Sequence, residues 1–174
     1  MAKVISLSES ELTRIVRRVI SEQEQQELVM NIVNSPKLKG LADQALSNLS
    51  ARELVSLKKN LNSVGIDDNT SLSDAVSAGN IAVQQSKEES ELSEDEEEEK
   101  LTFVDRVKMG LGSLGFINTA LLGSLGTSLI EKITNYANID TSSSAETAIS
   151  FTIGIVLLLV GNTVYDKLKR IKKF

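Results

Sequence analysis

The residues Gly110-Leu111-Gly112-Ser113-Leu114-Gly115 match GxGxxG, the spacing with which a strand-to-helix turn cradles a dinucleotide pyrophosphate. That chemistry needs a strand before the glycines and a βαβ unit around them. Phe103 to Met109 reads as helix and no such unit fits in the remainder, so no cofactor site is expected. Asp67-Asp68-Asn69-Thr70-Ser71-Leu72-Ser73 carries the oxygen donors of a calcium loop. Its sixth position is Leu72 where the loop needs Gly, and its twelfth is Ala78 where it needs a bidentate Glu, so no metal site is expected. These residues more simply turn the chain and cap a short helix near Leu72 to Ser77. The 174 residues include no Cys and no His, which removes thiolate nucleophiles, disulfides, structural zinc and imidazole chemistry. Paired carboxylates or a Ser-Lys couple remain, but no spacing points to either. A helical, non-enzymatic protein with no catalytic residues is expected. Nothing in the sequence points to nucleic acid.

The elements around these residues fall into two unlike halves. Residues 1–100 carry 11 Lys and Arg against 19 Asp and Glu, whereas residues 101–174 carry 8 against 5, so net −8 and +3 sum to the whole chain's −5. The opening MAKVISLSESE has no apolar core of signal length before its first acids, so a cleaved secretory signal is not expected. Ser8-Glu9-Ser10-Glu11 is a capping box, with Leu7 and Leu12 placed as its hydrophobic staple. Leu12, Ile15, Val16, Val19 and Ile20 then recur at helical spacing, with Arg14, Arg17 and Arg18 on the other side. This stripe is a candidate interaction face, for neighbouring helices or, as a basic amphipathic helix, for a membrane surface. Leu28, Val29, Ile32 and Val33 continue this helix or form a second one. Ser35-Pro36 restarts a helix, since Pro fits a first turn. Ser50-Ala51-Arg52-Glu53 repeats the capping box, and Leu54, Leu57, Leu61 and Val64 run on to Gly65. Residues 1–85 thus read as a small helical interaction module. Residues 86–100, SKEESELSEDEEEEK, hold nine acids, repel themselves and read as a solvated linker.

Two uncharged segments follow. Met109 to Ile130 gives 22 residues without a charge and Thr147 to Val164 gives 18, each enough at about 1.5 Å per residue to approach the roughly 30 Å of a hydrocarbon core. The second is nearly all branched aliphatic; the first, diluted by five Gly and six Ser, Thr or Asn, is a conditional span. Residues 8–65 offer only narrow stripes, too little apolar surface to wrap two helices that are uncharged all round. Tyr165 and the basic run Lys167, Lys169, Arg170, Lys172 and Lys173 sit where an interfacial anchor belongs. With Arg106 and Lys108 before the first segment and only Lys132 between the two, both termini are expected in the cytoplasm. Residues 101–174 are therefore expected to form a transmembrane hairpin in the cytoplasmic (inner) membrane, with spans at about residues 109–130 and 147–165.

Gly112, Gly115, Thr119, Gly123 and Gly126 fall on one face at 100° per residue, as do Ser150, Gly154 and Gly161 on the second span. In lipid such small residues let backbones approach closely, so these are the expected helix-packing surfaces of a tight hairpin or homo-oligomer. The opening ISLSESELTRIVRRVISEQ resembles the leader helix of many small uncharacterised proteins of tailed phages. The rear half resembles in layout the two-span phage holins, which oligomerise in the cytoplasmic membrane and open lesions in it; the resemblance implies that the small-residue faces are assembly surfaces. The leading expectation is an all-α, non-enzymatic membrane protein with lipid, copies of itself and a protein bound by its N-terminal module as partners. A holin-like pore, and a soluble or virion-associated structural protein, are the alternatives.

Overall fold

The computed structural model describes residues 8–91, 101–115, 124–142 and 145–171. These residues form seven helices and no strand: α1 (Glu9–Asn34), α2 (Pro36–Ala45), α3 (Ala51–Ser63), α4 (Leu72–Glu91), α5 (Phe103–Ser113), α6 (Ser124–Tyr136) and α7 (Glu146–Ile171).

The helix starts are set locally. Ser8 and Ser50 each accept a hydrogen bond from the backbone N–H three residues on, while Glu11 and Glu53 reach back to the cap N–H. Thr102 and Asp105 close a third box at the start of α5. Pro36 opens α2, which separates it from α1, itself one continuous helix of 26 residues. Gly65, at φ +81°, ends α3 in the left-handed conformation, and Ile66 N–H then bonds back to the Leu61 carbonyl.

The three boxes carry a pH dependence of definite sign. Hydrogen bonds from the Ser8 backbone N–H and hydroxyl hold the Glu11 carboxyl below its usual 4.5, and those from the Ser50 hydroxyl and backbone N–H do the same for Glu53. The Thr102 hydroxyl and N–H lower Asp105 from 3.8. A depressed folded-state pKa contributes stability above the unfolded value and loses it as pH falls through the folded one. Helical content followed by circular dichroism should therefore decline as pH drops below about 4.5. Ser50→Ala should flatten that decline; an identical acid profile in wild type and variant would show that the box is not formed.

The core centres on α7. Its residues 152–161 are buried at every position, the pattern of a helix enclosed on all sides. It lies most extensively against α4, and also against α1, α2, α3, α5 and α6. The packing thus crosses the acidic run that divides the sequence. The covering surface that residues 8–65 lack comes from α4, a helix of 20 residues where the sequence suggested only Leu72 to Ser77, and from α5. Ala75, Ala78 and Ala82 of α4 are buried, and Gly79 between them meets the backbone of Ser150.

Among the described residues α7 is the one helix long and apolar enough to cross a membrane, and most of that stretch is buried within the fold. Residues 109–130 do not form one continuous helix. The α5 helix ends at Ser113, Gly115 takes φ +84°, and α6 begins at Ser124.

Candidate functional site

The helix-packing residues inferred from the sequence separate into three groups. On α7, Ser150 lies against Gly79 and Gly154 against the backbone of Ala75 and Val76, so both pack on α4; Gly161 meets the Ile66 side chain. On the first uncharged segment, Gly112 has nothing within 4 Å of where a Cβ would stand, and the Gly115 carbonyl accepts a hydrogen bond from Asn60 Nδ2 at 3.2 Å. Gly112 and Gly115 therefore do not pack on α7. The glycine that does is Gly110, one face away, with Ile153 Cδ1 2.5 Å from its Cβ position. Gly126 is buried in α6, while Thr119 and Gly123 lie outside the described residues.

The residues read as a membrane anchor take protein partners here. Tyr165 is buried at 8% exposure, its hydroxyl donates to Asn62 Oδ1, and Lys58 Nζ sits 4.7 Å from its ring centroid. Burial, then the charges of Asp67 and Asp68, push the phenol pKa up, so it remains a donor. Lys167 pairs with Asp43 at 3.0 Å and Lys169 approaches Asp68 at 4.0 Å. Arg170 is exposed, and Lys172 and Lys173 lie outside the described residues. The open cleft around Tyr165, about 750 Å³, presents Lys58 and Lys169 beside Asp67 and Asp68. Charges of both signs at its rim offset one another, and its polar groups already serve to hold α7 against α3.

The Asp67 loop forms an Asx turn: Asp67 Oδ1 accepts from Asn69 N at 2.8 Å and from the Thr70 hydroxyl at 3.1 Å. Among the described residues no group of three or more Asp and Glu is placed to hold a metal ion.

Among the described residues, the stripe on α1 is covered by no other part of the chain. Every residue from Ser8 to Glu27 is exposed, so this part of the helix stands clear of the body, and only Leu28, Val29, Ile32 and Val33 seat it there. Leu12, Ile15, Val16, Val19 and Ile20 are each 44–52% exposed. Met30, absent from the sequence-level stripe, joins them at 58% exposure. Its position eleven residues beyond Val19 was the signal for it. At its base the arm borders an open groove of about 820 Å³ whose apolar side includes Val76, Ile139, Ala148 and Phe151.

No family model, no curated protein and no solved structure matches this chain.

Proposed function

We propose that this chain is a non-enzymatic structural protein: a helical body built on α7 as its core helix, which presents α1 as an arm for association with other helices. One contrast carries the reading. The apolar surface of α7 is covered by helices of the same chain, whereas the Leu12 to Ile20 stripe of α1 is covered by nothing among the described residues. The partners of α7 are also specific. Backbone meets backbone at Gly79 and Ser150, and the Tyr165, Lys167 and Lys169 side chains find polar or charged partners on α2, α3 and the loop after it. These contacts support a protein rather than a lipid environment for α7.

The length and composition of α7 favour a second reading, in which the rear half is an inner-membrane hairpin with both termini cytoplasmic and small-residue faces that join copies into an anchor or a holin-like pore. That reading requires α7 to exchange α4 for lipid. Lysis without detergent separates the two. The structural reading expects the full-length chain in the aqueous fraction with a compact hydrodynamic radius. Recovery only from membranes, together with loss of membrane potential on expression, would replace it with the pore.

A further inference from the structure

The exposed seam of α1 has a period that the body does not require. Leu12, Val16, Val19, Gln23, Gln26 and Met30 are spaced 4, 3, 4, 3 and 4 residues apart, the d and a positions of a heptad repeat. All six are exposed. Ile15 and Ile20 occupy the g and e positions on either side. We propose that the occupant of this seam is the same helix of further copies of the chain, and that α1 forms a parallel bundle of at least three copies; this rests on the proposed role of α1 as an association arm.

Parallel order follows from the flanks. In a parallel bundle the g residue of one helix faces the e residue five positions on in its neighbour. Here that pair is Ile15 with Ile20. Antiparallel pairing in the register that sets Val16 against Val19 turns Ile15 toward Glu22 and Ile20 toward Thr13, which leaves both isoleucines against polar groups. The number of copies follows from the width of the seam. In a two-stranded coil the e and g positions stay at the wet rim, and burying them needs additional helices. Contiguous exposed apolar side chains of this kind mark an interaction site.

The body leaves room. At 100° per residue, Val29, Ile32 and Val33, which seat α1 on the body, centre about 100° around the helix from the seam. The bodies therefore hang beside the bundle axis rather than across it. A lipid surface fits the charges less well. Glu9, Glu11, Glu22 and Glu27 lie about 60–100° from the centre of the stripe, whereas Glu24, Arg14, Arg17 and Arg18 lie about 120–160° away. A helix lying on an anionic membrane would press these four flanking acids into the headgroups and hold the arginines off them.

The test uses the full-length chain in detergent-free buffer. Analytical ultracentrifugation should give a trimer or larger closed species. Ile15→Ser with Ile20→Ser should weaken association by about 100-fold or more, with the thermal unfolding of the body unchanged, since both side chains are exposed. Glu22→Gln with Glu27→Gln, which removes the one like-charged g–e pair of the parallel register, should strengthen association a few-fold. The chain has no cysteine, so Leu12→Cys reports orientation: copies cross-link through this residue when parallel and fail to when antiparallel. A compact soluble monomer, a dimer without the Leu12→Cys cross-link, or association indifferent to Ile15 and Ile20 overturns the bundle and leaves the structural reading standing. A monomer that co-sediments with phosphatidylglycerol vesicles through α1 overturns it in favour of lipid. A chain extracted only by detergent overturns both readings.

Discussion

Gly79→Ala is expected to destabilise the chain by about 2–3 kcal/mol and Gly79→Leu by on the order of 4 kcal/mol or more, close to the whole stability of a small domain. A Cβ at this position would overlap the Ser150 carbonyl oxygen outright and stand 2.9 Å from its carbon and 3.2 Å from its Cα. All three atoms are backbone, so no rotamer change makes room and α4 must separate from α7. Without a neighbour the sign reverses, because Ala is favoured over Gly in a helix interior by about 1 kcal/mol. Gly40 in α2 provides that control: nothing lies within 4 Å of its Cβ position, so Gly40→Ala should stabilise. Urea denaturation followed by circular dichroism measures both changes. The comparison also bears on where α7 resides. In a chain whose α7 has left α4 for lipid, the two substitutions would act alike and both would stabilise. Gly154 repeats the argument from the other helix, with Ala75 and Val76 backbone atoms 3.0 Å from its Cβ position.

The pairing of Ala75 and Gly79 with Ser150 and Gly154 explains which parts of the fold were legible in the sequence. Capping boxes are contained within four residues, and those at Ser8 and Ser50 can be read directly. The box at Thr102 uses Asp105 in place of Glu or Gln and is easier to miss. The apolar stripe of α3 is similarly local. An α-helix apolar on every side, however, reads the same whether lipid or protein will surround it. The deciding information lies some 70 residues earlier, in α4, whose buried face is built from Ala and Gly and so scarcely registers as hydrophobic. The signal was the spacing of Ala75, Ala78, Gly79 and Ala82 at i, i+3, i+4 and i+7. On the first uncharged segment the arithmetic of a continuous helix put Gly112, Gly115 and Gly126 on one face. The turn at Gly115 interrupts that helix, and within α5 it is Gly110 that shares the buried face of Phe103, Val107 and Leu111, so Gly110 rather than Gly112 meets α7. On α1 the five-residue stripe was visible from its period, but its exposure was not, because amphipathic helices that cover a core and those that await a partner share one pattern.

Ile153→Ala should cost about 2–5 kcal/mol, since its side chain is wholly buried at the centre of α7 and neighbouring backbones cannot close the space it leaves. Its distinctive consequence is on α5. In wild type a methyl group at Gly110 would stand 2.5 Å from Ile153 Cδ1, with Ala82 Cβ a further 3.7 Å contact, so Gly110→Ala forces Ile153 out of its rotamer. That atom is the free end of a side chain and can swing, so the loss should be about 1 kcal/mol after the gain in helix propensity. With Ile153→Ala already present the same methyl enters vacated space. It then contributes about 1 kcal/mol of burial together with its propensity, and Gly110→Ala becomes stabilising. The sign reversal amounts to a coupling of about 2–3 kcal/mol in a double-mutant cycle, at the upper end of what touching residues show. Equal effects of Gly110→Ala in the two backgrounds would mean that α5 does not meet α7 through this pair. The cycle therefore tests, by denaturation alone, whether the start of the glycine-bearing segment is docked on the core helix.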